Sequence, residues 1–424
     1  MTLKRRVGAL LGAASITTLS IAGCAPGSGD ASNDGGQKFS LAYAVTNTEV
    51  NAYEALAKQY MSENPNVKIT LNAVPNDTFG QTISTQLQAG NAPDVFQTAP
   101  GTGQGYSTIA LAKAGLLAPL ADQAAPLIPK GSESQFQYEG KTYGLPLSIT
   151  WVGALVNKTA LDKMGVGFPT DWNSQLKACD AAADGQSFYA VAGAMPPNAG
   201  VTALSIAATR VYAETPDWDA KRAAGEVTFA NTKGWADTFQ AILDLKNAGC
   251  FQPGVEGAGF EVALRNLVQG TSASAFGPSG ATADLKKAAP DSSFSVAAFP
   301  PATSGGKAFG FASANYALSI AKESKNQDAA RAFIAWMSEP KQAAAFAEAQ
   351  GSLPVSGLEG ADLSGTPYEP VADILKKGAF VALPNANWPN ASVYDTLGVG
   401  VQALLTGQKT VDQLLDDLDA AWAK

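Results

Sequence analysis

Histidine is missing from all 424 residues of this sequence. It is the usual general base of Ser-His-Asp and Cys-His catalysis, and the commonest zinc ligand. Its absence therefore excludes those two catalytic arrangements and removes the main basis for a zinc centre.

Positive charge is also scarce, since 29 Lys and Arg residues face 37 Asp and Glu residues, which gives a net charge of −8. The basic residues form no cluster beyond Lys4, Arg5 and Arg6. A net acidic surface repels the phosphates of nucleic acids and of anionic lipids. We therefore expect no nucleic-acid partner.

Cysteine occurs only three times, at Cys24, Cys179 and Cys250. The last two follow helix-like segments, and they are too few and too far apart in sequence to form a zinc site by themselves. In an exported domain a pair of cysteines favours one disulfide bond. Two free, buried thiols are the alternative.

Long apolar runs are absent except for residues 7–19, which are too few for a membrane-spanning helix of about 20 residues. The run follows the three basic residues and precedes small ones, which is the order of a secretory signal. Residues 19–24, LSIAGC, resemble a bacterial lipobox. This resemblance implies that Cys24 is lipidated and becomes the first residue of the mature protein. The alternative is an ordinary signal peptide with a chance cysteine.

The sequence after Cys24 divides into a tether and a large folded region. Residues 1–23 form the predicted signal peptide, and residues 24–37 are rich in Gly, Ser, Asn and Asp, which predicts a flexible tether. The remaining stretch of about 390 residues is too long for one hydrophobic core and indicates two lobes. We expect the protein to lie on the extracytoplasmic face of the cell membrane, attached to it only through the lipid.

Hydrophobic periodicity predicts an α/β fold. Residues 38–45 alternate as in a strand, residues 52–63 have helical spacing and stop before Pro65, and residues 67–71 again suit a strand. A second helix, a third strand beginning near Val95 and a third helix complete a β-α-β-α-β-α order. That order predicts an open, largely parallel sheet.

Several short motifs appear in a consistent order from about residue 38 to the carboxyl terminus. They are NPNVKI (64–69), LQAGNAPDVF (87–96), LAKAGLLAPL (111–120), GKTYGLP (140–146), VNKTAL (156–161), PTDW (169–172), YALSIAKESKNQDAARAF (316–333) and LTGQKTV (405–411). This series resembles the extracellular solute-binding proteins of ABC importers, in the family that includes maltose-binding and other sugar-binding proteins.

The resemblance implies a two-lobe periplasmic-binding-protein fold, each lobe being an open, mostly parallel sheet flanked by helices. The amino-terminal lobe would comprise residues 38–146 and 309–353, and the carboxyl-terminal lobe residues 147–308 and 354–424. The three hinge crossings would lie near residues 144–150, 308–312 and 352–356. A disulfide between the two cysteines would then lie within the second lobe and could not lock the hinge.

The resemblance also implies a function without covalent chemistry. A small solute, a mono- or oligosaccharide, would be captured as the two lobes close and then delivered to the transmembrane subunits of an ABC permease. We expect a monomer that is not an enzyme and that has neither a cofactor nor a metal. Two alternatives stay open: a binding protein for a non-sugar solute, and a secreted glycosidase that uses two carboxylates.

Ligands of doubly wound sheets lie beyond the carboxyl ends of the strands. On this basis and on the resemblance, the predicted ligand-binding residues are Asn47, Glu49, Thr98, Gly101, Thr102, Ser148, Trp151, Gly277, Ser279 and Trp388. Trp151 and Trp388 would offer aromatic platforms to a sugar, although either could belong to the core. Asn47 and Glu49 could instead cap the first helix. Ser279 stands where the family often has a stacking tryptophan.

Overall fold

A computed structural model of the chain describes residues 37–45, 51–129, 132–182, 185–314, 316–355 and 358–424. The predicted signal peptide, Cys24, nearly all of the tether, and the loop with Asn47 and Glu49 lie outside the described residues. Residues 36–424 form one compact unit. None of the helices among the described residues is long and apolar enough to cross a membrane.

Fifteen strands are present in the described parts of the chain. They are β1 Gln37–Val45, β2 Val67–Pro75, β3 Val95–Thr98, β4 Leu117–Ala118, β5 Gln137–Tyr138, β6 Lys141–Thr142, β7 Leu145–Pro146, β8 Ser148–Asn157, β9 Ser187–Ala190, β10 Ser272–Pro278, β11 Phe294–Ala297, β12 Gly310–Ala314, β13 Ala317–Ala321, β14 Leu353–Pro354 and β15 Phe380–Val381. Strands β5 and β6 form a separate hairpin, and the others belong to two larger sheets.

Sixteen α-helices occur in the same described ranges. They are α1 Ala52–Glu63, α2 Asn76–Gln88, α3 Thr108–Lys113, α4 Glu133–Phe136, α5 Lys158–Met164, α6 Trp172–Asp180, α7 Pro196–Ala207, α8 Trp218–Ala223, α9 Lys233–Asn247, α10 Phe260–Gln269, α11 Ala281–Ala288, α12 Gln327–Met337, α13 Pro340–Ala349, α14 Ala372–Lys376, α15 Ala391–Leu405 and α16 Val411–Trp422.

Each large sheet forms the centre of one lobe, so the α/β, two-lobed prediction is confirmed. The first sheet has the order β2-β1-β3-β13-β4, with β7 beside β13, and the second has the order β15-β12-β8-β10-β9, with β11 and β14 also beside β8. Strand β1 is parallel to β2 and β3, but β13 and β8 are antiparallel to the strands beside them. The sheets are therefore mixed rather than mostly parallel, because these two strands belong to connections that pass between the lobes.

The chain passes between the sheets at three places. The first crossing joins β7 to β8, as predicted, and the third joins α13 to β14 close to the predicted position. The second differs from the prediction: β12 pairs with β8, so residues 310–314 belong to the second lobe and the crossing follows Ala314 rather than lying at 308–312. The apolar sequence of β12 is compatible with either sheet, and only its pairing with β8 shows that β12 belongs to the second lobe.

The first lobe illustrates how local sequence builds the fold. Helix α1 begins at the cap residue Asn51, whose side-chain oxygen accepts a hydrogen bond from the backbone N–H of Tyr53 at 2.8 Å. The helix buries Leu56 and Tyr60 against the sheet. It ends just before Pro65, because a residue that precedes proline disfavours helical backbone angles. The prediction of a helix over residues 52–63 is therefore confirmed.

The second lobe has an aromatic core and one disulfide bond. Tryptophans 218, 235 and 388 pack with Phe229 and the partly buried Trp422. The predicted bond between Cys179, in α6, and Cys250, after α9, is present and lies within this lobe. It therefore crosses none of the three connections between the lobes.

Candidate ligand-binding site

The carboxyl ends of β1 and β3 lie at one edge of the first sheet, where the loops toward the second lobe begin. Asn51 caps α1 and also donates its side-chain amide to the carbonyl of Ala44 at 2.9 Å. Asn51 therefore occupies the cap position of α1, and Asn47 and Glu49 lie outside the described parts of the chain. Their predicted contact with a ligand stays a prediction.

Thr98, at the end of β3, is fully buried. Its hydroxyl is within hydrogen-bond distance of the hydroxyls of Thr108 at 2.8 Å and Ser319 at 2.9 Å. These bonds tie β3 to α3 and β13 inside the first lobe. These hydrogen bonds within the lobe account for a polar group at this buried position.

The loop after β3 contacts a segment of the second lobe directly. The backbone N–H of Thr102 donates to the carbonyl of Ala386 at 3.2 Å. A Cβ atom on Gly101 would lie 2.1 Å from that same oxygen, and a Cβ on Gly103 would lie 2.5 Å from the carbonyl oxygen of Asn385. We call residues 101–103 together with residues 385–387 the interlobe junction. Glycine is required on its first-lobe side because the two backbones are nearly in contact.

Two amide side chains at the interlobe junction lack a complete set of hydrogen-bond partners. Gln135, only 1% exposed, accepts a hydrogen bond from the N–H of Gly101 through its backbone carbonyl at 3.0 Å. Its side-chain Nε2 lies 3.5 Å from Oδ1 of Asn387. However, Oε1 of Gln135 and Oδ1 of Asn385 are both buried and have no hydrogen-bond partner among the described residues. Buried acceptors are nearly always paired in folded proteins, so these two are exceptions.

Three tyrosines gather near the same edge of the first sheet. Tyr53 is in the first turn of α1, Tyr106 follows the loop after β3, and Tyr316 lies between β12 and β13 at the second crossing. The phenol groups of Tyr106 and Tyr316 share a hydrogen bond, and burial raises the pKa of all three hydroxyl groups. They therefore stay protonated and combine aromatic faces with hydroxyl groups.

Trp151 lies inside β8 and is fully buried. Its indole N–H donates to the carbonyl of Ala297 at 3.3 Å, and its ring leaves no room for a side chain at Gly310, where a Cβ would come within 2.0 Å of it. Its backbone N–H donates to the hydroxyl of Ser279, which is also fully buried. In this structure the ring presents no face to solvent.

Gly277 and Ser148, also predicted to contact the ligand, lie in the second sheet beside these residues. Gly277 pairs with Gly153 of β8, and Ser148 is a buried residue of the same strand opposite Pro354. The structure therefore brings Ser148, Trp151 and Gly277 into one sheet, with Ser279 in the turn directly after β10, and among the described residues none of the four forms a hydrogen bond with the interlobe junction.

Trp388 directly follows the interlobe junction and is fully buried in the aromatic core. Its indole N–H donates to Oδ1 of Asp219 at 3.2 Å, and the hydroxyl of Tyr212 donates to the same oxygen at 2.7 Å. Burial raises the pKa of Asp219 to about 6, against the lowering effect of those two donors. In this structure Trp388 anchors the junction segment to the second lobe instead of presenting a platform.

A cavity of about 460 Å³ lies within the second lobe. Its walls include Leu161, Phe168, Phe299 and Pro300, and no residue of the interlobe junction lines it. Among the described residues no group of three or more acidic or cysteine side chains is placed to hold a metal ion. At the interlobe junction, by contrast, both lobes contribute polar groups.

Two α/β lobes, joined by three crossings and meeting at a junction of loops, define the periplasmic-binding-protein fold. Residues 44–344 match the model of the bacterial extracellular solute-binding protein family, and the chain belongs to that family.

Individual relatives cover nearly the whole chain. A binding protein of Brucella abortus (strain 2308) is 24% identical over 382 residues, which cover 87% of this chain and 88% of the relative. A structure from a study of xylan utilization by Caldanaerobius polysaccharolyticus aligns with a TM-score of 0.75 and 23% identity, over 90% of this chain and 99% of the other. An ABC transporter solute-binding protein of Thermotoga lettingae, bound to α-D-tagatose, aligns with a TM-score of 0.73 and 18% identity, over 91% and 100% of the two chains.

Gly101 and Thr102, which the sequence predicts to contact a ligand, lie on the first-lobe side of the junction, and that contact stays a prediction. The sequence prediction did not include Gln135 of the first lobe or Asn385 and Asn387 of the second. The amide-rich segment PNANWPN at 384–390 did carry a signal, but the aromatic residue drew the prediction to Trp388. The tyrosines gave no signal because they are distant from one another in sequence.

Proposed function

We propose that the protein is the lipid-anchored, extracytoplasmic substrate-binding component of an ABC importer and that it captures a carbohydrate. The observation that carries this proposal is the interlobe junction, where backbone and amide groups of both lobes meet. A solute that contacts both sides binds the closed arrangement better than the open one. It therefore shifts the population toward closure, which a permease can recognise.

The polar groups around the junction support a neutral, hydroxyl-rich ligand. The hydroxyl groups of Tyr106 and Tyr316, residues that are only partly buried, and the amides of Gln135 and Asn385 can exchange hydrogen bonds with hydroxyl groups of a ligand. Tyrosine rings also suit the apolar C–H faces of a sugar. No Lys or Arg occurs in residues 97–106 or 384–390, where an anionic solute would need one. The tagatose bound to the Thermotoga lettingae protein agrees with this class of ligand.

Membrane attachment through Cys24 is the second part of the proposal, and it rests on the lipobox-like sequence. Stable anchoring takes more than one acyl chain, which bacterial lipoprotein modification would supply. Replacing the cysteine, Cys24→Ser, should move the protein from the membrane fraction to the soluble fraction. Recovery of an unmodified, membrane-free wild-type protein would contradict this part alone.

The ligand class is tested by a thermal-shift screen of the purified protein with mono- and oligosaccharides, polyols, amino acids and osmolytes. A solute at 100 times its dissociation constant adds ~2.7 kcal/mol of stability, which is a clear rise in melting temperature. A sugar hit, repeated by calorimetry, would support the proposal. Hits only among non-sugars would refute the carbohydrate assignment, and hydrolysis of a bound sugar would favour the glycosidase.

A further inference from the structure

Two buried side-chain oxygens at the interlobe junction have no hydrogen-bond donor among the described residues. Oε1 belongs to Gln135 of the first lobe and Oδ1 to Asn385 of the second. Leaving a buried acceptor unpaired costs about 1–3 kcal/mol. The contact between the lobes at this junction thus carries two unfavourable groups, one from each lobe.

We propose that Gln135 and Asn385 are ligand-contact residues whose amide oxygens accept hydrogen bonds from hydroxyl groups of the bound carbohydrate. This assignment rests on the proposed function and names two contacts for it. An amide oxygen only accepts, so the complementary group must be a donor, and a sugar ring carries several hydroxyl donors.

The placement of the two residues explains how such a ligand would favour closure. The backbone carbonyl of Gln135 holds Gly101, and Gly101 lies against Ala386, the residue that follows Asn385. Closure therefore brings the two acceptors to the same junction. A sugar that supplies both donors removes the unfavourable groups of the closed form, whereas the ligand-free closed form keeps them.

Gln342 provides a matched control within the same chain. It is 3% exposed, and its Oε1 is likewise buried without a partner among the described residues. It lies in α13 of the first lobe, outside the junction. Replacing either glutamine with methionine removes the unpaired oxygen at nearly constant side-chain length, so any difference between the two variants reports on position.

The experiment measures calorimetric affinity of the purified protein for raffinose, stachyose, D-tagatose, xylotriose and maltotriose. Against the sugar that the wild type binds, Gln135→Met and Asn385→Leu should each weaken affinity about tenfold. Gln342→Met should stay within about twofold, since its oxygen is away from the junction. Circular dichroism and ligand-free melting temperature establish that every variant is folded.

X-ray scattering of the ligand-free protein measures its compactness, which distinguishes the loss of a ligand contact from a general loss of structure. Because the double variant Gln135→Met/Asn385→Leu lacks both unpaired acceptors, it should be at least as compact as the wild type while it binds sugar more weakly. Unchanged affinity in both single variants, or equal weakening by Gln342→Met, would overturn the assignment and leave the proposed function intact. If the wild type binds only non-sugar solutes in the thermal-shift screen, the carbohydrate assignment and these two contacts fail together.

Discussion

Adding a single methyl group at Gly103 tests whether the two lobes close against each other at the junction. A Cβ on this residue would lie 2.5 Å from the carbonyl oxygen of Asn385, about 1 Å inside ordinary van der Waals contact. Overpacking of this kind costs about 1–3 kcal/mol. The cost falls on the closed form alone, because separated lobes relieve the contact. Gly103→Ala should therefore lower ligand affinity by about 5- to 150-fold.

Calorimetry with the sugar found in the thermal-shift screen measures this loss, and X-ray scattering measures how far the bound protein compacts. Gly105→Ala is the matched control in the same loop, since its Cβ would lie 3.4 Å from the hydroxyl of Ser84 and would require only a small adjustment. Gly101→Ala is a poorer test because the positive φ of +68° strains any other residue in both forms. Wild-type affinity in Gly103→Ala would refute closure at this junction.

Three other perturbations examine the second lobe. Burial raises the pKa of Asp219 from 3.8 to about 6. Between these two values the folded chain holds a proton on Asp219 that the unfolded chain has lost. Protonation of Asp219 therefore stabilises the folded state at low pH, and this stabilisation is lost as the pH rises through about 6. Asp219→Asn should flatten the fall in urea midpoint between pH 5 and pH 7.5, and an unchanged slope would contradict this. The double change Cys179→Ser/Cys250→Ser should cost about 2–4 kcal/mol in urea unfolding but leave sugar affinity unchanged, because the bond lies within one lobe. Gly310→Ala should cost about 1–3 kcal/mol, since its Cβ would lie 2.0 Å from the Trp151 ring, and a wild-type melting temperature would exclude that packing.

Several features of this protein could be predicted from the sequence because short-range interactions decide them. The helix over residues 52–63 has the predicted bounds, since apolar spacing and end signals lie within the segment. Asp94, directly before β3, accepts hydrogen bonds from the backbone of Ser40 at 2.7 Å and the hydroxyl of Ser324 at 2.6 Å, as suits a polar residue at the start of a buried strand. The disulfide followed from the presence of two cysteines in an exported domain.

Long-range packing decided what local patterns could not. Trp151 and Trp388 are of the residue type that forms sugar platforms, yet both rings are buried. The ring of Trp151 packs against Gly310 and that of Trp388 lies beside Asp219, and both partners are distant in sequence. The second crossing lies after Ala314, beyond its predicted position at residues 308–312, because β12 pairs with β8.

The junction depends on the same kind of contact, because Gln135 and Asn387 are 252 positions apart. No periodicity or motif encodes which distant surfaces meet, since that outcome depends on shape and on hydrogen bonding after the lobes have formed. Local sequence thus specified the elements, the family and the kind of protein, while tertiary packing selected which polar groups can meet a ligand.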